Sequence, residues 1–307
     1  MPGLAPPNAA PWYTLVIPTR DSAAWIGPLL DHYRAHGVTP TLFLDSRTRD
    51  GARAIAERAG APIIDIAPFK FTEAIVAVTR DVVRTRWALF VNDDEIPSDR
   101  LFARLRGPEP PEAVQSVAIP RRWAWYEPGR PLCWARTEIW MDRAGRNGAD
   151  HHWRLFRPDQ VTFVAAMHSD GFVIDRWSRL PPDCFLVHFE WILRSRAQRA
   201  AKLRRYDRHR YGYGNFFANM YLPEDQPPGA IDFVPFETDA YDALARCYYA
   251  ARAPDAPAER WRLGERYAQL RHAVAHRLGL SRFDREPKDR AGLTPRLDRE
   301  IADPHTG

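Results

Sequence analysis

"WALFVNDDEIPSDR", residues 87–100, carries an apolar run straight into Asp93, Asp94 and Glu95. A short apolar run closed by a polar turn reads as a buried strand. Three adjacent carboxylates at its end repel one another at neutral pH unless a cation lies among them. A bland surface turn needs no such cluster. The expectation is a hard, oxygen-bound divalent cation, Mg²⁺ or Mn²⁺, that bridges the chain to substrate phosphate oxygens.

Upstream, "YTLVIPTRD" gives a strand closed by Pro18, "TLFLD" (41–45) a second and "PIIDI" (62–66) a third. Between them, 22–36 reads as a helix capped by Ser22 and stopped by Gly37. Residues 49–60 read as a helix ended by Gly60, and 72–86 as a helix capped by Thr72. Strand and helix alternating four times over predict a mostly parallel, Rossmann-like α/β sheet with helices on both faces. Ligands bind such sheets outside the carboxyl ends of the strands. Pro18-Thr19, Asp45 and Asp93–Glu95 all fall on that edge.

"LVIPTRDSAAWI", "LDSRTRDGARAIAERAG" and "VTRDVVRTRWALFVNDDEIPS" together resemble the successive motifs of family 2 glycosyltransferases with the GT-A fold. The resemblance covers about residues 13–100. It implies that Pro18, Thr19, Asp45, Arg80, Asp93 and Asp94 bind the nucleotide, with Arg80 near the diphosphate. It further implies that Asp93 and Glu95 are the outer members of a metal motif, with Mn²⁺ or Mg²⁺ as cofactor. The donor would be a nucleoside-diphosphate sugar, a UDP-sugar by the resemblance. The acceptor would be a carbohydrate or a lipid-linked molecule, with inversion in a single displacement. The sequence departs from the family in having a single Asp45 on strand two, Asp81 after Arg80, and Asn92 before the acidic triplet.

After residue 110 the pattern changes to strands joined by irregular loops: "VQSVAIPRRWAW", "TEIWMD", "WRLFRP", "VTFVAAMH" and "CFLVHFEW". This half should supply the general base, a carboxylate within reach of the acceptor hydroxyl. The candidates are Asp170, which is favoured, and Asp150. His168 is a further candidate metal ligand. His188, Lys202 and Tyr206 are candidates for the diphosphate or acceptor. Lys202 and Tyr206 stand one helical turn apart in "RSRAQRAAKLRRYDRHR" (194–210), whose competing reading is a solvated helix face.

The organisation expected is a flexible lead (1–11), a nucleotide-sugar half (12–110), an acceptor half of the same domain (111–192), a helical extension (193–282) and a polar tail (283–307). The 307 residues are 45% apolar, enough for a sizeable core, and carry a formal charge of +5. Such mild basicity suits an anionic substrate, and the basic residues form no nucleic-acid-binding motif. Three widely spaced cysteines, Cys133, Cys184 and Cys247, argue for reduced thiols in the cytoplasm. No secretory signal is seen and no apolar run reaches a membrane span; peripheral contact with the inner face of a membrane stays open. Oligomeric state is not legible. Two competing readings remain: a nucleotidyltransferase, against which "PTRDSAAW" lacks the glycine-rich turn, and a non-catalytic nucleotide-binding module.

Overall fold

The computed structural model describes residues 11–69, 71–136, 150–165, 170–209, 217–218, 220–252, 270 and 274. These divide into two compact units. The first holds residues up to Arg122 together with Asp150–His188; the second holds Trp123–Arg136 and the described residues from Phe189 onward.

The first unit is built on β1 (Tyr13–Thr19), β2 (Thr41–Asp45), β3 (Ile63–Ile66) and β4 (Trp87–Phe90), parallel in the order β3-β2-β1-β4. Leu15, Val16 and Ile17 point alternately to opposite faces and all are buried, so both faces of the sheet are covered. On one face Val16, Phe43, Ala88 and Phe90 pack with Ile75, Val76 and Phe172. Helix α1 (Ile26–Ala35) stops where Gly37 takes φ +72°, and α2 (Ala52–Arg58) stops where Gly60 takes φ +70°, the left-handed conformation that only glycine enters cheaply.

Three expectations are corrected here. The sheet is mixed: β8 (Asp150–Phe156) lies antiparallel beside β4, and β6 (Ser116–Trp125) antiparallel beside β8. The apolar runs of the second half identified strands but not their direction of pairing, which is a non-local property. Residues 72–86 form two 3₁₀ turns, Thr72–Ala74 and Val76–Val78, and a single turn of helix, α3 (Thr79–Val82). Seven of the twelve residues from Thr72 to Val83 are Val, Ile or Thr, and such β-branched side chains disfavour a long helix. Ser22 does not cap α1; its carbonyl accepts from the Trp25 and Ile26 amides, and the helix starts one turn later.

The unit is completed by β5 (Glu95–Pro97), α4 (Asp99–Leu105), β9 (Trp177–Arg179) and β10 (Leu186–His188). β5 and β10 pair antiparallel with His188 opposite Glu95, and β9 runs parallel to β6. Of the expected strand at 161–168, only an isolated Phe163–Phe172 bridge is present among the described residues.

In the second unit, the end of β6 pairs antiparallel with β7 (Cys133–Ala135), and β7 with β11 (Phe233–Pro235). β11 lies within "PEDQPPGAIDFVPF" (223–236), a proline-rich stretch inside the expected helical extension. The unit also holds α5 (Glu190–Leu193), α6 (Arg196–His209) and α7 (Asp242–Ala250). Trp123, Trp125, Trp191 and Phe233 form an aromatic cluster there, with Trp123 and Trp191 centroids 5.0 Å apart. "TEIWMD" and the polar tail lie outside the described residues. No described helix is long and apolar enough to cross a membrane.

Candidate functional site

β1 pairs with β4 only as far as Val16, and the Val91 amide makes the last bond, to the Val16 carbonyl. Pro18, having no N–H, cannot extend that ladder. Beyond this point Thr19 and the turn after β4 lie side by side. The buried Thr19 hydroxyl donates to Asp93 at 2.6 Å and is 2.6 Å from the Ser22 hydroxyl. The neighbouring Asp21 takes φ +48°, a left-handed conformation that aspartate enters more readily than most non-glycine residues.

The acidic turn closes on itself. The Glu95 amide donates to the Asn92 carbonyl at 3.0 Å, and the Glu95 carboxylate accepts from the Asn92 amide at 3.2 Å. Glu95 is wholly buried, and its other oxygen receives Arg121 of β6 at 3.0 Å and Arg154 of β8 at 3.1 Å. Burial pushes its carboxyl up, but Arg154, Arg121, His188 and His152 outweigh that and hold it below the usual carboxylate range. The cation that the sequence asked for is thus partly supplied by two arginines, and Glu95, expected as a metal ligand, already has its oxygens engaged.

Asp94 is different. It is buried, and its carboxylate lies 3.4 Å from Nε2 of buried His188. A carboxylate and an imidazole at this separation form a mixed oxygen and nitrogen donor pair, which suits a divalent transition ion better than Mg²⁺ with its preference for oxygen. Asp94 and His188 are buried donors of the kind that could hold a metal ion.

Asp170 lies beside β8. Its carboxylate accepts from the Trp153 amide at 3.3 Å and stands 3.8 Å from Nδ1 of His152. Gly171 follows with φ +85°, and a Cβ there would meet Val76 at 2.6 Å. His168 lies outside the described residues. Asp150 opens β8, with its backbone opposite Arg121.

Two expected nucleotide residues are engaged within the chain. Asp45, fully buried, takes Arg47 through Nε at 3.0 Å and through its amide at 2.8 Å, and this hydrogen bonding holds its carboxyl below the usual range. Arg80 donates to the carbonyls of Pro158 and Val161 and covers the Phe163 ring, none of which belongs to the acidic turn.

In the second unit, Lys202 donates to Glu190 at 2.9 Å and lies over the Tyr221 ring at 4.6 Å; the Tyr206 hydroxyl is 3.3 Å from that of Tyr221. Arg194 binds the other Glu190 oxygen at 3.0 Å. The Lys202–Tyr206 spacing therefore brings the two residues together around Tyr221.

Sequence reading missed Arg121, Arg154 and His152 as members of the acidic cluster. The available signal was charge in the middle of apolar strands, "AIPRRWAW" and "HHWRLF". Such residues are rarely buried unless paired.

No family model matches the chain, and no curated protein matches it. Solved structures give distant likenesses. Glucosyl-3-phosphoglycerate synthase from Mycobacterium tuberculosis, in complex with Mn²⁺, uridine diphosphate and glucosyl-3-phosphoglycerate, is 15% identical with a TM-score of 0.29, over 38% of this chain and 46% of that one. The chain thus spans about half the length of that enzyme. HddC from Yersinia pseudotuberculosis is 11% identical with a TM-score of 0.34, over 58% of this chain and 93% of that one. A Bacillus anthracis protein named as a glucose-1-phosphate thymidylyltransferase, in complex with sucrose, is 10% identical with a TM-score of 0.30, over 80% and 97%. The chain is an α/β protein with a parallel β3-β2-β1-β4 core, distantly similar to glycosyltransferase and nucleotidyltransferase structures, and likeness at this level carries no argument about its chemistry.

Proposed function

We propose that this chain is a metal-dependent glycosyltransferase that moves a sugar from a nucleoside-diphosphate donor, a UDP-sugar by the resemblance of its motifs, to an acceptor hydroxyl. The observation that carries the reading is the meeting of Thr19, Asp93, Asp94 and His188 at the carboxyl ends of β1 and β4. That edge is where open parallel sheets take ligands.

In this reading Asp94 and His188 hold the cation. A cation held there would supply Lewis-acid neutralisation of the diphosphate leaving group. Asp93, positioned by the Thr19 hydroxyl, faces the ribose or diphosphate. Asp45 recognises the nucleoside, which requires the Arg47 side chain, 42% exposed, to swing aside. Asp170 takes the acceptor proton; the Trp153 amide fixes its direction and His152 stands beside it. Asp150 is the alternative base. Lys202 and Tyr206 are proposed for an anionic part of the acceptor.

Calorimetric titration with UDP, with and without Mn²⁺, tests the reading. Wild type should bind UDP far more tightly with Mn²⁺, and Asp94→Asn should lose that difference. Equal binding with and without the metal in both proteins overturns it.

A further inference from the structure

We infer that Arg121 and Arg154 are positioning residues that latch the acidic turn through Glu95, so that Asp94 is presented to the metal while Glu95 is withheld from it. The inference rests on the glycosyltransferase reading only in taking Asp94 and His188 as the metal-holding pair.

The argument starts from the turn. Asn92–Glu95 is closed by one backbone bond and by the Glu95 carboxylate capping the Asn92 amide. Asp93 and Asp94 are the two residues between, so their direction follows from where Glu95 is held. Glu95 is held from two strands that sequence places far away, β6 through Arg121 and β8 through Arg154. Both arginine side chains are withdrawn from solvent, 6% and 11% exposed. Arg154 also keeps a buried Nε–H with no acceptor among the described residues. A buried donor left unsatisfied is costly and uncommon. Its retention is intelligible if the place of this guanidinium matters more than its full satisfaction.

The charges support the same division of labour. One carboxylate facing two guanidinium groups has no need of a further cation, and a divalent ion brought to Glu95 would be repelled by both. Asp94, one residue earlier, faces an imidazole instead, which is neutral when it serves as a metal ligand.

The test is Mn²⁺ binding followed by electron paramagnetic resonance of the full chain, with wild type, Arg154→Met, Arg121→Met and Arg154→Lys. Each Met variant leaves Glu95 paired with the remaining arginine, so folding should survive, as checked by circular dichroism. Expected is a weakening of Mn²⁺ affinity by about tenfold in each Met variant, partly restored in Arg154→Lys, with a changed Mn²⁺ line shape that a merely structural role would not produce. Folded Met variants with wild-type Mn²⁺ affinity and line shape overturn the latch. Loss of folding in both Met variants moves the decision to Glu95→Asp, which keeps the charge and shortens the reach: unaltered Mn²⁺ binding in that variant also overturns it. Wild type that binds no Mn²⁺ overturns the metal assignment and the latch together, whereas Mn²⁺-binding wild type with unaffected variants overturns the latch alone.

Discussion

At the scale of single residues, the acidic triplet separates into three roles that its sequence presents as equivalent. Asp93 faces a hydroxyl, Asp94 an imidazole and Glu95 two guanidinium groups. Stability should follow the same division. Glu95→Ala leaves two buried arginines without their shared anion, and removing one member of a buried ion pair costs about 3–5 kcal/mol. Arg154→Met removes the surplus cation and leaves a balanced pair, so its cost should be distinctly smaller. Urea denaturation of the two variants checks the order; an Arg154→Met protein less stable than Glu95→Ala would refute it. Asp45 gives a pH test. Its carboxyl is held below the ordinary value chiefly by the Arg47 hydrogen bond, so the folded state releases this proton more readily than the unfolded chain. That contribution is present above the unfolded carboxylate pKa, about 4, and is lost as pH falls through the lower folded value. Asp45→Asn should therefore flatten the acid limb of the stability curve below about pH 4, and a limb as steep as wild type would count against the Asp45–Arg47 bond.

At the scale of elements, the joint between Gly171 and the 3₁₀ turn at Val76 leaves less room for a side chain than is found at any other glycine among the described residues. A Cβ on Gly171 would lie 2.6 Å from Val76 Cγ2, and φ there is +85°. Gly171→Ala should cost about 1–3 kcal/mol from overpacking alone, with a further backbone penalty of about 1–2 kcal/mol. Because Asp170 is the preceding residue, the same change should disturb its bond to the Trp153 amide. Adding Val76→Ala should relieve only the overlap with the two Cγ atoms, because Val76 Cβ itself would lie 2.7 Å from the new methyl, so thermal denaturation of the double variant should show partial recovery of the packing part and none of the backbone part. On α1, burial pushes His32 down to about 4, so this ring stays neutral over the range in which an unfolded histidine charges. Folding stability should rise with pH between about 4 and 6.5 on this account, and an NMR titration of His32 with a midpoint near 6.5 would exclude it. These elements also show what sequence could reveal. β1 to β4 were legible as apolar runs, and the ends of α1 and α2 as glycines that adopt positive φ. The 72–86 segment breaks into short turns because its β-branched residues disfavour the long helix that a cap at Thr72 suggests. The acidic edge was legible because its residues are local. Its arginine partners come from β6 and β8, and which strands meet is decided by pairing at long sequence separation, so no local pattern announces them.

At the scale of the whole molecule, the proposed site has the charge balance of a protein waiting for a cation. Glu95 faces Arg121 and Arg154, while Asp93, Asp94 and Asp170 face the Thr19 hydroxyl and the imidazoles of His188 and His152, so the four carboxylates outnumber the two guanidinium groups although the full chain is basic at +5. Local negative charge within a positive chain favours a divalent ion at the site and an anionic donor arriving at the protein. Mass action then predicts how the entire fold responds. A ligand at one hundred times its dissociation constant stabilises the native state by about 2.7 kcal/mol, provided it ignores the unfolded chain. For a protein of this size, each kcal/mol moves the melting temperature by about 2 °C. UDP with Mn²⁺ at such concentrations should thus raise the midpoint by about 5 °C. Either component alone should give much less, because the nucleotide lacks its counterion and the ion lacks the diphosphate oxygens that complete its shell. A chelator added to the ternary mixture should return the midpoint to that of the protein with UDP alone. Differential scanning calorimetry resolves these cases. A shift with UDP that survives the chelator would mean nucleotide binding without metal, and the assignment of Asp94 and His188 would then fall while the nucleotide edge of the sheet stood.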